Sequence, residues 1–268
     1  MKQLRIPTEI ENALPKGDVF VQVMQLQGET FRNVPGRKTI RVHLAGKSLF
    51  VKQHFGVGWA EIFKNLLILK IPILGAMTEV QAIQKLDLIG IPTMPLIGYG
   101  VEGRNPSSLQ SFIITEDLGD IISLEDLSED WKNNPPELSL KRKLIIAVAL
   151  LAKKLHDNHL CHRDFYICHL CLDNKLLRQG VIKLYLIDLH RMKTANKTEK
   201  LKDIAALYFS TMDLDLGKTD YLRFAYYYSK HSSQNYWRKI QVRAVKLYAK
   251  LHSKKFQQKL AAEKALLL

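Results

Sequence analysis

The sequence predicts an α+β protein with two lobes, in which a small lobe built on an antiparallel sheet precedes a larger, helical lobe. Apolar and polar residues alternate over 39–44, which is the period-2 pattern of a half-buried strand, and strand-like runs recur up to residue 116. Beyond residue 119, apolar stretches of helical length dominate. We therefore expect one lobe over residues 1–118 and the other over residues 119–268.

The elements of the first lobe follow from caps, turns and periodicity. Asp18 stands directly before the apolar run 19–26 and suits a helix N-cap. Pro35-Gly36 and Ala45-Gly46 are turn signals, so residues 30–53 are predicted to form a three-stranded antiparallel meander. Two helices and two further strands are expected after the meander, over 59–69, 76–88, 94–99 and 111–116.

The second lobe is predicted to be mainly helical. We expect a short helix over 123–130 and a long apolar helix over 140–156. A strand is predicted over 181–187, and only helices are expected from residue 203 onward. The polar segment 162–169 lies between the long helix and that strand, which is where we expect the chemistry.

The charge balance predicts an affinity for polyanions. Forty Lys and Arg residues face 26 Asp and Glu residues, which gives a formal net charge of +14. Charge alone does not choose among nucleotides, phosphorylated glycolipids, an acidic membrane and nucleic acid. No aromatic and basic motif for base recognition is present, so we expect no nucleic-acid partner. The most apolar run, 66–76, is interrupted by Lys70 and Pro72 and is too short to span a bilayer.

Three cysteines lie close together in the chain, at Cys161, Cys168 and Cys171. With His162 and His169 they form a set of metal-capable residues, but structural zinc usually joins two such pairs across a longer loop. We therefore expect reduced thiols in the cytosol rather than zinc or a disulfide framework. The first 14 residues show no pattern of a secretory signal.

Four elements resemble protein kinases, in the kinase order. His162-Arg163-Asp164 follows Leu155-His156 after a short connector, as the kinase catalytic loop does. Lys52 stands at a predicted strand end, Glu79 lies on a following helix, and Asp188 follows a strand. In kinases these positions hold the phosphate-pairing lysine, its glutamate partner and a metal-binding aspartate, so the resemblance implies a bilobal, protein-kinase-like fold.

Two departures from the general kinase pattern stand out. His169 lies five residues after Asp164, where kinases have a metal-binding Asn. It could ligate metal, hydrogen-bond Asp188 or touch phosphate, and a structural histidine is the alternative. No Gly-x-Gly-x-x-Gly occurs, so the turn 34–38 is the candidate phosphate loop, in which Arg37 or Lys38 adds charge. The alternative there is a plain hairpin turn with solvated cations.

A closer resemblance is to the lipopolysaccharide core heptose(I) kinase family of Gram-negative bacteria, in which a histidine stands where residue 169 does. It rests on the following segments: Lys52-Gln53-His54 with Gly56, Gly58, Trp59 and Glu61; Lys64-Asn65-Leu66-Leu67; Pro72, Leu74, Gly75, Ala76 and Glu79; His162-Arg163-Asp164 with Tyr166-Ile167-Cys168-His169; Ile187-Asp188-Leu189-His190-Arg191; and Lys202-Asp203 with Ala205 to Ser210. The resemblance implies ATP-dependent phosphorylation of the first inner-core heptose, with the protein peripheral on the cytoplasmic face of the inner membrane.

The same resemblance implies roles for individual residues. Asp164 is expected to accept or orient the proton of the sugar hydroxyl, with support from His162 and Arg163. Asp188 and His169 are the candidate Mg²⁺ ligands. Lys52, directed by Glu79, and Arg37 or Lys38 are expected to bind the phosphates of ATP, and Glu116 and Leu118, in the expected hinge, are expected to bind adenine through backbone groups. Other residues with expected roles are Tyr166, with Phe165 and Trp59, at the sugar site, and Asp203, which either anchors the catalytic loop or caps its own helix.

The last helix carries a basic stripe, which consists of Lys239, Arg243, Lys246, Lys250 and Lys254. Its functional interpretation is attraction to lipid A phosphates or anionic headgroups, and the alternative is a solvated helix face. Residues 66–74 could also touch lipid, although burial in the core is the simpler expectation.

The sequence is also compatible with three alternatives to the heptose kinase. They are a kinase for another inner-core sugar, 3-deoxy-manno-octulosonic acid; a kinase for protein hydroxyls; and a catalytically inactive, kinase-like module that binds membranes. The missing glycine-rich loop argues against a protein kinase. Retention of Lys52, Glu79, Asp164 and Asp188 argues against the inactive module.

Overall fold

The computed structural model describes residues 2–56, 75–105, 107–230, 232–254, 256–258 and 261. Within it the chain divides into two compact units. The first unit comprises Met1–Gly119 and Leu186–Met192, and the second comprises Asp120–Tyr185 and Lys193–Leu268. The helix expected over 59–69, and with it Trp59 and the lipid contact suggested for 66–74, lie outside the described residues.

The first unit is built on a six-stranded antiparallel sheet with strand order β1-β5-β6-β4-β3-β2. Its elements are β1 (Lys2–Arg5), α1 (Thr8–Asn12), α2 (Val19–Gln25), β2 (Glu29–Val34), β3 (Arg37–Leu44), β4 (Lys47–His54), α3 (Met77–Leu88), β5 (Leu96–Glu102) and β6 (Gln110–Glu116). The predicted meander is confirmed as β2, β3 and β4. Asp18 caps α2 as predicted, since its carboxylate accepts from the N–H groups of Phe20 and Val21.

β1 and α1 were not predicted from the sequence. All four residues of β1 are exposed, so the strand shows no apolar alternation, and it pairs only at the edge of the sheet, with β5. α1 has five residues, of which only Ile10 is buried. Elements so short and so exposed leave little periodicity for a sequence to show.

The strands of this sheet present two different faces. Ile40, Val51 and Ile114 pack on one face with apolar residues of α1 and α2, such as Ile10 and Phe20. α3 contacts β5 and β6. Because side chains alternate along each strand, every second residue of β3 and β4 projects away from the α1 and α2 layer. That second face carries Lys52.

The second unit contains mostly helices. Its elements are β7 (Ile121–Ser123), α4 (Leu124–Ser128), α5 (Leu138–Asp157), β8 (Leu160–Cys161), β9 (Leu170–Asp173), α6 (Asn174–Arg178), β10 (Leu184–Leu186, whose last residue belongs to the first unit), β11 (Lys193–Thr194), α7 (Lys197–Ser210), α8 (Lys218–Tyr228) and α9 (Gln234–Leu251). Short 3₁₀ turns cover Ile167–His169 and Leu189–Arg191. The α+β fold class is confirmed.

The strand predicted over 181–187 is shorter than expected. Gly180 ends the turn after α6 with φ +76°, and residues 181–183 that follow lie outside the strand, so β10 is limited to Leu184–Leu186. α7 begins at Lys197, and Asn196 is its N-cap. Asp203 is therefore interior to α7, and the expectation that it caps this helix is wrong.

The core of the second unit lies along α5. The buried face of this 20-residue helix includes Leu144, Val148, Ala152 and Leu155. α5 packs on α8, and α7 packs on α9. Among the described residues, no helix combines the length and the apolar character that crossing a bilayer requires.

Candidate active site

Lys52 and Glu79 form an ion pair inside the first unit. Lys52 lies on β4 and Glu79 in the first turn of α3, and the distance from Nζ to Oε1 is 2.5 Å. The Glu79 side chain is 2% exposed and that of Lys52 is 15% exposed, so this is not a surface ion pair. Removing one partner of a buried pair typically costs about 3–5 kcal/mol, because the other charge is left uncompensated. The ammonium group is thus held at a fixed place on the second face of the sheet.

Two more basic residues share this face with Lys52. The register of β3 and β4 places Arg37 opposite His54 and Thr39 opposite Lys52, and cross-strand partners project from the same side of a sheet. Nε of Arg37 and Nε2 of His54 are both buried, and neither has a hydrogen-bond partner in the described part of the chain. A buried polar atom left this way costs about 1–3 kcal/mol, so the pair indicates a place where a ligand belongs. Nε of Arg37 needs an acceptor, and His54 can also donate to one in its Nε2–H tautomer.

The electrostatics of this group favour an anion. Burial lowers the pKa of the Arg37 guanidinium, and the charges of Glu79 and Asp188 partly offset that effect. Burial also lowers the pKa of His54 to about 4, and the positive charges of Arg37 and Lys52 act in the same direction. His54 is therefore neutral at pH 7, beside the side chains of Arg37 and Lys52.

Lys38 is separated from this group by strand alternation. It lies opposite Gln53, on the face that packs against α2, and its Nζ donates to Oε1 of Gln27 at 2.7 Å. Gln53 in turn is buried and donates to the Val23 carbonyl near the end of α2, at 2.9 Å. Of the two cations expected in the phosphate loop, Arg37 therefore shares the face of Lys52 and Lys38 does not.

Asp188 follows β10 and has a left-handed backbone conformation. Its φ and ψ are 60° and 55°, and non-glycine residues adopt this region at a cost, mostly at functional positions. Its Oδ1 lies 2.5 Å from Nδ1 of His190. Since the Asp188 carboxylate accepts, the histidine nitrogen donates, which orients the aspartate.

The segment expected to bind adenine is anchored by its own backbone. Glu116 ends β6, and its N–H donates to the Pro95 carbonyl at 2.9 Å. The N–H of Asp117 donates to the Ser48 carbonyl at 3.0 Å, and the Asp117 carboxylate accepts from the Ser48 hydroxyl at 2.9 Å. Leu118 follows directly and is half-buried. The backbone of Glu116 and Asp117, directly before Leu118, is thus held against β4 and the residue that precedes β5.

In the second unit, Asp203 holds the backbone of the catalytic-loop candidate. Its Oδ2 accepts from the N–H of His162 at 2.7 Å, and its Oδ1 accepts from the N–H of Arg163 at 2.8 Å. Asp203 is 1% exposed. Arg163 has φ +74°, so the carboxylate stabilises a left-handed residue directly before Asp164. Of the two roles that the sequence left open for Asp203, the structure selects contact with this loop.

A histidine and a tyrosine extend this network. Nε2 of His156, in the last turn of α5, lies 3.3 Å from Oδ2 of Asp203, and its Nδ1 lies 2.7 Å from the Tyr228 hydroxyl. The Tyr228 hydroxyl lies 3.4 Å from that of Tyr236 on α9. Burial raises the pKa of Tyr228 well above its usual range, so this hydroxyl keeps its proton. The chain of contacts links the last two helices to the backbone that precedes Asp164.

His169 contacts Asp164 through the main chain. Its Nδ1 lies 2.7 Å from the Asp164 carbonyl oxygen, which can only accept, so Nδ1 carries the proton. In a neutral ring, Nε2 then has the lone pair, a tautomer that metal-binding histidines commonly adopt. Asp164 itself is half-buried, and the His162 side chain is fully buried beside Phe165 and His169.

The neighbouring aromatic and cysteine residues divide into core and half-buried groups. Phe165 is fully buried and belongs to the core, whereas Tyr166 is half-buried against Phe209. Burial raises the pKa of the Cys161 thiol to about 12 and that of Cys171 to about 11, so both stay protonated. Across the described residues, no group of three or more His, Cys, Asp or Glu is placed to hold a metal ion.

An apolar cavity of about 650 Å³ lies within the second unit. Its walls come from five helices, α4, α5, α7, α8 and α9, and include Leu144, Val148, Ile204, Leu207, Phe224 and Trp237. Asp220, which pairs with Lys141 at 2.7 Å, is one of the few charged residues in the lining. The lining of the cavity therefore suits an apolar ligand.

The outer surface of α9 is strongly basic. This helix contains five basic residues and no acidic residue, and it buries Ile240 and Ala244. Its exposed basic residues and the exposed Val242 line a shallow groove of about 440 Å³; the basic ones are Arg238, Lys239, Arg243, Lys246 and Lys250. Lys254 lies beyond the end of α9 and is exposed.

Sequence reasoning missed three residues of the contact networks described above, namely His54, His156 and Tyr228. His54 lies two positions after Lys52, so the period of a strand could have placed it on the same face. His156 ends the Leu-His pair that precedes the catalytic loop, which was a usable signal. Tyr228 gave none, because its contact with His156 joins residues 72 positions apart.

The chain has clear relatives. The sequence model of the lipopolysaccharide kinase (Kdo/WaaP) family matches residues 21–228. The lipopolysaccharide core heptose(I) kinase WaaP of Pseudomonas aeruginosa is 45% identical over 211 residues, which cover 77% of this chain and 79% of that protein. The protein of the same name from Escherichia coli K12 is 46% identical over 211 residues, covering 77% and 80%.

A solved structure is also similar. It is described as WaaP in complex with acyl carrier protein, and it is 34% identical to this chain with a TM-score of 0.78. The match covers 94% of this chain and 100% of that one. The similarity therefore extends over both units.

Proposed function

The chain belongs to the lipopolysaccharide kinase (Kdo/WaaP) family, and on that premise we propose that it transfers the γ-phosphoryl group of ATP to the first heptose of the lipopolysaccharide inner core. It is a phosphotransferase that acts on a sugar hydroxyl. The observation that carries the proposal is the retention of the Lys52–Glu79 pair and of the Asp203-anchored loop before Asp164 in a chain so similar to heptose kinases.

The first unit supplies a fitting place for the phosphates of ATP. Lys52 is held by Glu79, and Nε of Arg37 and Nε2 of His54 are buried atoms without a hydrogen-bond partner in the described part of the chain. A triphosphate offers acceptor oxygens and negative charge, which matches both needs. Lys52 and Arg37 are therefore proposed to bind phosphate, and Glu116 and Leu118 to bind adenine through their backbone.

When bound, ATP with Mg²⁺ supplies the phosphoryl group and a metal that neutralises charge on the β- and γ-phosphates. Asp188 is proposed to contribute an oxygen ligand to that metal, which is the ligand type that Mg²⁺ prefers. His169 is the second candidate ligand, through Nε2, although imidazole is a softer ligand for Mg²⁺ than an amide oxygen. Magnesium usually keeps water and substrate oxygens, so two protein ligands suffice.

Asp164 is proposed to orient the acceptor hydroxyl and to accept its proton. Such a carboxylate must lie within about 2.6–3.2 Å of the hydroxyl in the bound complex. Asp203 serves this step by fixing the backbone at His162 and Arg163. Tyr166, half-buried one turn before His169, is proposed to contact the sugar.

We further propose that the enzyme acts at the cytoplasmic face of the inner membrane. Its acceptor carries lipid A, and the basic surface of α9 is suited to anionic headgroups. Each basic residue near such a surface contributes about 1 kcal/mol. The helix buries its own apolar residues against α7, so its exposed face is available for this contact.

Acyl carrier protein is proposed as a protein partner. The similar WaaP structure contains acyl carrier protein. The apolar cavity of the second unit supports the proposal that acyl carrier protein binds this chain, since its lining suits an acyl chain. Co-expression with tagged acyl carrier protein followed by size-exclusion chromatography tests it, and elution of the two proteins as separate peaks counts against it.

The decisive test of the substrate is chemical. Core oligosaccharide from a strain that lacks this protein should lose the phosphate on the first heptose by mass spectrometry, and the wild-type gene should restore it. An Asp164→Asn gene should not. Retention of heptose phosphate together with loss of phosphate on 3-deoxy-manno-octulosonic acid would instead favour the other sugar that the family description names.

A further inference from the structure

The catalytic-loop backbone depends on one carboxylate that serves three donors. Asp203 accepts from the N–H groups of His162 and Arg163 at 2.7 and 2.8 Å, and Nε2 of His156 lies 3.3 Å from the same carboxylate. Arg163 has φ +74°, a conformation that costs a non-glycine residue energy. The position of Asp164, the next residue, therefore depends on how firmly Asp203 is held.

His156 supports Asp203 only in one tautomer. An ionised carboxylate can only accept, so Nε2 of His156 must carry a proton in this contact. If the proton were on Nδ1 alone, a lone pair on Nε2 would face the carboxylate and repel it. The protein must therefore favour the neutral Nε2–H tautomer or the charged ring.

The Tyr228 hydroxyl is placed to favour the Nε2–H tautomer of His156. It lies 2.7 Å from Nδ1 of His156 and 3.4 Å from the Tyr236 hydroxyl, and burial raises its pKa, so it keeps a proton. When that proton is donated along the shorter contact, to Nδ1, the Tyr236 hydroxyl can donate to Tyr228 in turn. A donor at Nδ1 favours the tautomer with its proton on Nε2. The Tyr228 ring is fixed by packing, since it stacks on Phe224 with centroids 5.7 Å apart and meets Trp237 edge-on at 6.0 Å.

We propose that Tyr228 is a positioning residue for phosphoryl transfer, which fixes the Nε2–H tautomer of His156 and through it Asp203 and the backbone before Asp164. It lies on the last turn of α8, outside the segments that carry the kinase resemblance. Its catalytic consequence rests on the proposed role of Asp164. The competing view is that Tyr228 is simply a core aromatic that fills space.

The variant Tyr228→Phe removes the hydroxyl and keeps the ring. We expect kcat for sugar phosphorylation to fall about fivefold to tenfold, which is what the loss of one buried hydrogen bond implies for a transition state. KM for ATP and for the acceptor should change less than about twofold, because neither is bound by this network. Tyr227→Phe is the matched control, since it removes the hydroxyl of the adjacent and more exposed tyrosine.

Two further measurements separate positioning from packing. The ¹⁵N spectrum of the histidine rings should show His156 as Nε2–H in the wild type and as a mixture of tautomers in Tyr228→Phe. In His156→Gln the amide can donate to Asp203 without any tautomer, so adding Tyr228→Phe should cause little further loss of kcat. Wild-type kcat in Tyr228→Phe, an unchanged ring spectrum, or an undiminished loss in the His156→Gln background would each overturn the proposal.

The ring spectrum needs no substrate. If the wild-type protein phosphorylated no heptose acceptor, the proposed function would fail while the tautomer measurement would still decide the role of Tyr228.

Discussion

Asp203→Asn should separate the geometry of the catalytic loop from its chemistry. The amide oxygen of asparagine can replace Oδ2 and accept from the N–H of His162 and from His156. The amide nitrogen then replaces Oδ1 and faces the N–H of Arg163, so that two donors meet at the former 2.8 Å contact. One charge-assisted hydrogen bond is lost, and the part-buried N–H of Arg163 is left facing another donor.

The magnitude follows from that count. Losing such a contact costs about 1.5–3 kcal/mol, and we take about 2 kcal/mol for the free energy of unfolding. For a chain of this size that corresponds to a fall in Tm of roughly 5 °C. Because the same contact positions Asp164, kcat for phosphorylation should fall by at least about tenfold, with KM for ATP nearly unchanged.

The assay compares thermal unfolding and steady-state kinetics of Asp203→Asn with those of Asp213→Asn. Asp213 is exposed and accepts from the Tyr248 hydroxyl at 2.6 Å, so its amide variant should stay within about 0.5 kcal/mol of the wild type. If Asp203→Asn matched this control in both Tm and kcat, the assignment of Asp203 as the anchor of the loop would be wrong.

Three other predictions concern the phosphate site and the basic surface. Glu79→Gln should raise KM for ATP more than it raises KM for the acceptor, because Lys52 loses its charged partner; equal effects on the two constants in steady-state kinetics would contradict this. The folded state keeps His54 neutral down to a pKa of about 4, whereas the unfolded chain takes up the proton near 6.5, so stability is lost as the pH falls below about 6.5. Between pH 7 and pH 5 this contributes a loss of about 2 kcal/mol, which urea unfolding should show in the wild type and not in His54→Asn. The double variant Arg243→Gln/Lys246→Gln should bind vesicles rich in anionic lipid more weakly at low salt, as judged by co-sedimentation, and unchanged binding would leave α9 as a solvated face.

The antiparallel sheet could be predicted because its strands show their burial in the sequence. β3 and β4 have one apolar, buried face and one more polar face, and their turns contain glycine. The same alternation also predicts which side chains share a face of the sheet with Lys52. It places Arg37 and His54 with Lys52 and places Lys38 on the opposite face. A strict application of the strand period to residues 37–54 would have selected Arg37 over Lys38 and added His54.

Other parts of the site depend on distant residues and gave no local signal. Asp203 could be suspected from its position, but choosing between a cap and an anchor required knowing that α7 begins at Lys197. The contact between His156 and Tyr228 arises from the packing of α5 on α8, which no periodicity reveals. The apolar cavity is of the same kind, since its lining comes from helices that each look like ordinary core elements.

The most direct test of the central claim uses the purified protein. It is incubated with ATP, Mg²⁺ and a core acceptor that ends in heptose, and the acceptor is then analysed by mass spectrometry. We predict that the wild type adds one phosphate to the first heptose and that Asp164→Asn, folded as judged by an unchanged Tm, adds none. Undiminished turnover by Asp164→Asn, or transfer by the wild type to an acceptor that lacks heptose and not to one that contains it, would contradict the account.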